Sequence, residues 1–136
     1  MRLPLLAMML LLGTRAPAQT TLTAAADGAK RAWLAHDAQR LVGQASTLVL
    51  QLPGADPSAA LGRAQAVELV RRYFQPAEER GLDITTIREV EPGKGFVELV
   101  RRYVVRGTTE LRHETLYFGY RRIANEWRLV ELRSAP

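Results

Sequence analysis

The sequence predicts an α+β domain: N-terminal helices packed on one face of a curved antiparallel sheet, a cone-like arrangement in the order α-α-β-α-β-β-β-β. Three observations lead there. The first half is rich in Ala and Leu, with large apolar residues at three-to-four spacing. After Gly81 the apolar residues alternate instead. The alternating runs are separated only by short turn dipeptides, Pro92-Gly93, Gly107-Thr108 and Ala124-Asn125, so neighbouring strands form antiparallel hairpins. With 136 residues, 47% hydrophobic, 24% charged and no cysteine, the composition fits one globular domain. It excludes a disordered tail, a collagen-like repeat and a disulfide-stapled mini-protein.

Residues 1–18 read as a secretory signal peptide. Arg2 supplies the positive start, Leu3 to Leu12 is apolar apart from Pro4, and Ala16-Pro17-Ala18 is a small-x-small cleavage site. The expected cut follows Ala18, leaving 19–136 as a single domain in the periplasm or outside the cell. The apolar run is shorter than the roughly 20 residues of a membrane span. No cysteine follows it to carry a lipid, so no membrane anchor is expected after cleavage.

A first helix is expected over 24–36 and a second over 38–44, capped by Thr23 and Asp37, because Ala and Leu favour helix and both cap candidates are short acceptors. Thr47 to Leu52 is short and β-rich, a strand. Pro53-Gly54 and Asp56-Pro57 mark a loop. The third helix is expected over 61–75, capped by Ser58, with Ala66, Leu69, Val70, Tyr73 and Phe74 on one face. Pro76 and Gly81 should end the helical region. Strands then follow at 83–90, 95–106, 109–122 and 126–133.

If Gly107-Thr108 is a two-residue turn, positions summing to 215 face each other across the hairpin. One sheet face then carries Phe96, Glu98, Val100, Arg102, Val104, Leu111, His113 and Tyr117. The other carries Val97, Leu99, Tyr103, Leu116, Phe118 and Tyr120, joined by Trp127 and Leu129, with Arg101 paired to Glu114. Both faces are substantially apolar. The one not covered by helices therefore suggests an interface, and a homodimer through the sheet is the expected partner arrangement.

Three stretches carry a family likeness. Trp33-Leu34-Ala35-His36-Asp37-Ala38-Gln39-Arg40-Leu41 resembles a helix-to-helix corner in which Gly-Asp-Ala is commoner than His-Asp-Ala. Arg63-Ala64-Gln65-Ala66 with Leu69-Val70 and Tyr73-Phe74 resembles the long helix, and Trp127 to Arg133 the last strand. Together they resemble the nuclear transport factor two-like superfamily of ketosteroid isomerases and SnoaL-type cyclases, closest to a secreted, uncharacterised bacterial branch. The resemblance implies a cystatin-like α+β roll with a ligand pocket in its cone. It does not imply an activity.

The sharpest chemical constellation is Glu98, Arg102, His113 and Tyr117. A histidine beside a carboxylate can act as general base, with Tyr or Arg stabilising developing charge. The same four also fit plain cross-strand pairing on an exposed face. Ketosteroid isomerases use acidic residues in the cone, whereas Asp83 is the only aspartate after Asp56 here. His36-Asp37 reads as a helix corner with Asp37 as cap rather than as a dyad. Trp33 and Trp127 are candidates to line a ligand pocket as well as core aromatics. Two histidines 77 positions apart and no cysteine make a structural zinc site implausible. No Gly-x-Gly-x-x-Gly, Walker or Gly-x-Ser-x-Gly motif occurs, so neither metal nor cofactor is expected.

The formal charge is +5, from 19 basic and 14 acidic residues. Arg2 and Arg15 leave with the leader. The doublets Arg71-Arg72, Arg101-Arg102 and Arg121-Arg122 are interleaved with glutamates, and strand doublets point to opposite faces. That is not the concentrated footprint nucleic acid requires. The reading reached is an exported, non-catalytic module binding a small apolar or amphipathic ligand, or a protein. The alternative is a small lyase, isomerase or hydrolase using His113 with Glu98 or Tyr117 in the cone pocket.

Overall fold

The computed structural model describes residues 21–135. The expected signal peptide over 1–18 and its cut after Ala18 lie outside the described residues. Helix α1 spans Leu22–Leu34 and is capped by Thr21, not Thr23. Thr21 is the last extended residue, and its hydroxyl accepts from the Ala24 N–H at 3.1 Å. Thr23 already lies in the first turn. The helix ends in a Schellman motif. The His36 N–H donates to Trp33 C=O and the Asp37 N–H to Ala32 C=O, and His36 takes φ +52°, a conformation usually left to glycine. Helix α2 follows over Ala38–Val42 with Asp37 as its cap, as expected.

Strand β1 (Thr47–Gln51) is followed by a two-residue strand, β2 (Leu61–Gly62), that pairs with Thr47 and Leu48. This strand was not expected. It arises because the loop doubles back: Ser58 exchanges a backbone bond with Leu50 and accepts from the Leu50 N–H through its hydroxyl at 2.9 Å. Ser58 is thereby engaged by β1 and does not cap the next helix. Helix α3 begins later than predicted, at Arg63, after Gly62 and without a side-chain cap, and runs to Phe74.

Strand β3 runs over Ala77–Glu91, six residues earlier than expected. Gly81 is therefore a strand residue. A Cβ there would sit 2.3 Å from Arg102 Nη2, so glycine lets that guanidinium lie across the strand. Register shifts after Glu79, Ile84 and Glu89 interrupt the ladder. β4 (Lys94–Val105), β5 (Leu111–Ile123) and β6 (Glu126–Ala135) complete the meander. The sheet order is β2-β1-β6-β5-β4-β3. It is not wholly antiparallel, since β1 pairs parallel to β6 through Val49–Gln51 and Glu131–Arg133.

The β4–β5 register follows the predicted sum, with Glu98 opposite Tyr117 and Arg102 opposite His113. The turn itself differs. Thr108 N–H bonds Val105 C=O, Gly107 stands at φ +83°, and the ladder resumes only at Leu111. The helices cover the face bearing Val97, Leu99, Leu116, Phe118 and Leu132, all fully buried. Trp33 is the hub. Its ring stands edge-on to Phe74 at 5.0 Å and to Tyr73 at 6.0 Å, and tilts over Phe118 at 6.0 Å. It joins α1, α3 and β5. No described helix is long and apolar enough to cross a membrane.

Candidate functional site

β1 reaches β6 only from Glu131 onward. The earlier part of β6, Glu126 to Val130, has no strand on that side. α1, α2 and the Gly43-Gln44 segment stand across the gap and leave a cavity of about 500 Å³. Its floor is buried: Ala29, Leu41, Val42, Tyr120 and Leu129. Half-buried Trp127 forms part of a wall, and exposed Arg31, Arg40 and Glu126 lie at the mouth.

The cavity combines apolar walls with an excess of donors. Three arginines line it (Arg31, Arg40 and Arg128) against one glutamate, and Glu126 is 3.8 Å from Arg128. Arg31 and Arg40 have no acidic partner among the described residues. The Tyr120 hydroxyl and Arg128 Nε are buried without a hydrogen-bond partner. Burial pushes the Tyr120 phenol well above the ordinary tyrosine range, which keeps the hydroxyl a donor.

A second polar cluster lies in the core and lines no part of that cavity. Arg101, 1% exposed, donates through Nε to both Glu79 oxygens at 2.9 and 3.1 Å, and through Nη1 to Glu114 Oε2 at 3.0 Å and the Tyr73 hydroxyl at 3.1 Å. Arg101 Nη2 also donates to Glu79, and Tyr73 donates to Glu114. His36 Nε2 lies 3.0 Å from Glu79 Oε1, its ring stacked on Phe74 at 4.6 Å. The guanidinium carbon stands 4.0 Å from the centre of the Tyr103 ring. All four carboxylate oxygens are engaged. Burial works against the Arg101 charge, but the hydrogen bonds and charge of Glu79 outweigh it and keep the guanidinium protonated. Burial, then Glu114, raises the Tyr73 phenol. The cluster ties the α1–α2 corner, α3, β3, β4 and β5 together.

The sequence-predicted site residues lie elsewhere. Glu98, Arg102, His113 and Tyr117 share the sheet face opposite the helices. The 215 register puts all four on that face and outside the α1–α2–β6 cavity, while His113 lines a separate open cleft of about 410 Å³ with Tyr103 and Glu110. His113 is exposed. Glu98 is 3.5 Å from the Thr86 hydroxyl, Arg102 is 3.4 Å from Asp83, and Tyr117 lies 5.9 Å from Phe96. No hydrogen bond joins the four. Of the two tryptophans, Trp127 lines the cavity and Trp33 is sealed in the core.

Sequence reasoning found the Arg101–Glu114 pair but missed Glu79, Tyr73 and His36, which β3's early start and the αL corner bring in. It also missed Arg31, Arg40 and Tyr120. The signal for the arginines was their helical placement near a β6 edge that no strand covers.

No protein-family model matches the chain, and no curated protein does. Solved structures do. A ketosteroid isomerase-like protein from Erwinia carotovora atroseptica superposes with a TM-score of 0.70 at 17% identity, over 87% of this chain and 97% of that one. A domain with a cystatin-like fold from Nostoc punctiforme gives 0.65 at 14%, over 82% and 72%. A protein with a ketosteroid isomerase-like fold from Catenulispora acidiphila, in complex with trimethylamine, gives 0.66 at 13%, over 85% and 87%. With helices on one face of the sheet and these likenesses along most of its length, the chain has a cystatin-like, ketosteroid-isomerase-like cone fold.

Proposed function

We propose that the protein is an exported, non-catalytic module that binds a small amphipathic molecule in the cavity between α1, α2 and β6. The observation that carries this reading is a concave space of about 500 Å³ with a buried apolar floor and two unpartnered buried donors, the usual make-up of a small-molecule site. The Catenulispora acidiphila protein of the same fold holds trimethylamine, so the scaffold accommodates small molecules. The non-catalytic part rests on the lining: among the described residues its one carboxylate, Glu126, is exposed and stands 3.8 Å from Arg128, and no histidine, cysteine, serine or threonine lies there.

Gly28 makes the test clean. It lines the cavity from the middle of α1, and an added Cβ meets nothing closer than 4.0 Å. Gly28→Leu fills the space while raising helix propensity by about 0.8–1 kcal/mol. Titration with the neutral probe 2-naphthylacetamide, followed by amide chemical shifts, should move Gly28, Leu41 and Trp127. The filled variant should melt no lower and show no such shifts. Shifts confined to the outer sheet face, or none at about 1 mM probe, would overturn the reading.

A further inference from the structure

The two buried side-chain groups at this cavity that lack a hydrogen-bond partner among the described residues both carry a donor hydrogen. We infer that its ligand is an amphipathic monoanion: an apolar body on the floor of Leu41, Val42 and Leu129, and a carboxylate head among Arg31, Arg40 and Arg128. The inference rests on the ligand-binding reading and adds the chemical class.

Arg128 Nε can only donate and has no partner among the described residues, so an acceptor head settling against the Arg128 side chain is the chemistry that suits it. Arg31 and Arg40 add two unpartnered guanidinium forks at the mouth. A carboxylate is acceptor-only and planar, the shape those forks match. A cationic ligand would meet an excess of two positive charges, since only Glu126 opposes three arginines. A neutral ligand would leave two of the three guanidinium charges at the cavity without a counter-charge. Nucleic acid is a poor fit: the three arginines surround a cavity with an apolar floor, and the remaining basic residues are interleaved with glutamates and form no continuous track.

Three probes with one ring system separate these cases: 2-naphthylacetate, 2-naphthylacetamide and 2-(2-naphthyl)ethylamine, each titrated calorimetrically. The acetate should bind about tenfold tighter than the amide and the amine weakest, because charge-assisted hydrogen bonds at a partly exposed mouth add about that factor. The acetate's advantage should shrink between about 0.02 and 0.2 M salt. Arg31→Gln with Arg40→Gln, both at exposed positions, should remove most of the acetate's advantage over the amide. Equal affinity of acid and amide, or preference for the amine, would overturn the anion assignment while leaving a ligand site standing. Unchanged acetate preference in the double variant would also overturn it. Binding of none of the three would remove the ligand-binding reading itself.

Discussion

Arg101 places a charge where the sequence pattern asks for an apolar residue, and the core tolerates it because every neighbour answers it. Glu79 and Glu114 take its N–H groups, and the rings of Tyr103, Trp33 and Tyr73 surround it. Removing one partner from such a cluster leaves buried carboxylates without a cation. Arg101→Met should therefore cost about 3–5 kcal/mol by urea unfolding, and Arg101→Met with Glu79→Gln and Glu114→Gln should recover a large part of it. A triple variant no more stable than Arg101→Met would contradict this account. His36 is the companion case. Its αL backbone costs roughly 1–2 kcal/mol relative to glycine, while its ring reaches Glu79. His36→Gly should be more stable than His36→Ala by about 1 kcal/mol, because both lose the ring and only alanine keeps the strain. His36-Asp37 was legible in the sequence as a helix corner, but the reason for a histidine there was not. The contact with Glu79 depends on where β3 begins.

At the level of elements, the hairpins were legible and the edges were not. β4 and β5 alternate because one face is covered by helices and the other is not, β6 changes phase between Leu129 and Leu132 where its pairing with β5 shifts register, and the 215 sum survived even though the loop between β4 and β5 is wider than two residues. β3 is an edge strand whose first six residues, with Gly81 and a register shift after Glu79 among them, did not read as strand, whereas 83–90 did. β2 is two residues long and exists only through its pairing with β1. The β5–β6 turn offers a direct test. Ala124 and Asn125 stand at φ +52° and +63°, the signs of a type I′ turn, where glycine or asparagine is preferred. Alanine is the strained member. Ala124→Gly should raise stability by about 0.5–1 kcal/mol, a few degrees in melting temperature for a domain of this size. An unchanged or lower melting temperature would show that the turn carries no such strain.

The whole molecule hides its polar groups unevenly, and this makes its stability depend on alkaline pH. Which face the helices would take could not be read from two apolar faces. That one choice sends Arg101, Tyr73 and Tyr120 inward and His113 outward. Tyr73 and Tyr120 both have phenols held above the ordinary range, chiefly by burial. Up to about pH 10 the phenols are protonated in both folded and unfolded chains, and nothing changes. As the pH rises from there toward their folded values, the unfolded chain releases protons that the native chain keeps. The unfolded state then binds fewer protons, and stability falls with pH by about 1.4 kcal/mol per unit for each such group. The two differ at neutral pH. Tyr73 is bonded to Glu114 and Arg101, whereas the Tyr120 hydroxyl is buried without a partner. Tyr120→Phe should therefore be neutral to stabilising by up to about 1 kcal/mol at pH 7. Melting curves from pH 7 to 11 should show the wild type declining above about pH 10 and Tyr120→Phe declining less steeply. Identical slopes would mean that the Tyr120 hydroxyl is solvated from the cavity, and the donor argument for an anionic ligand would then rest on the arginines alone.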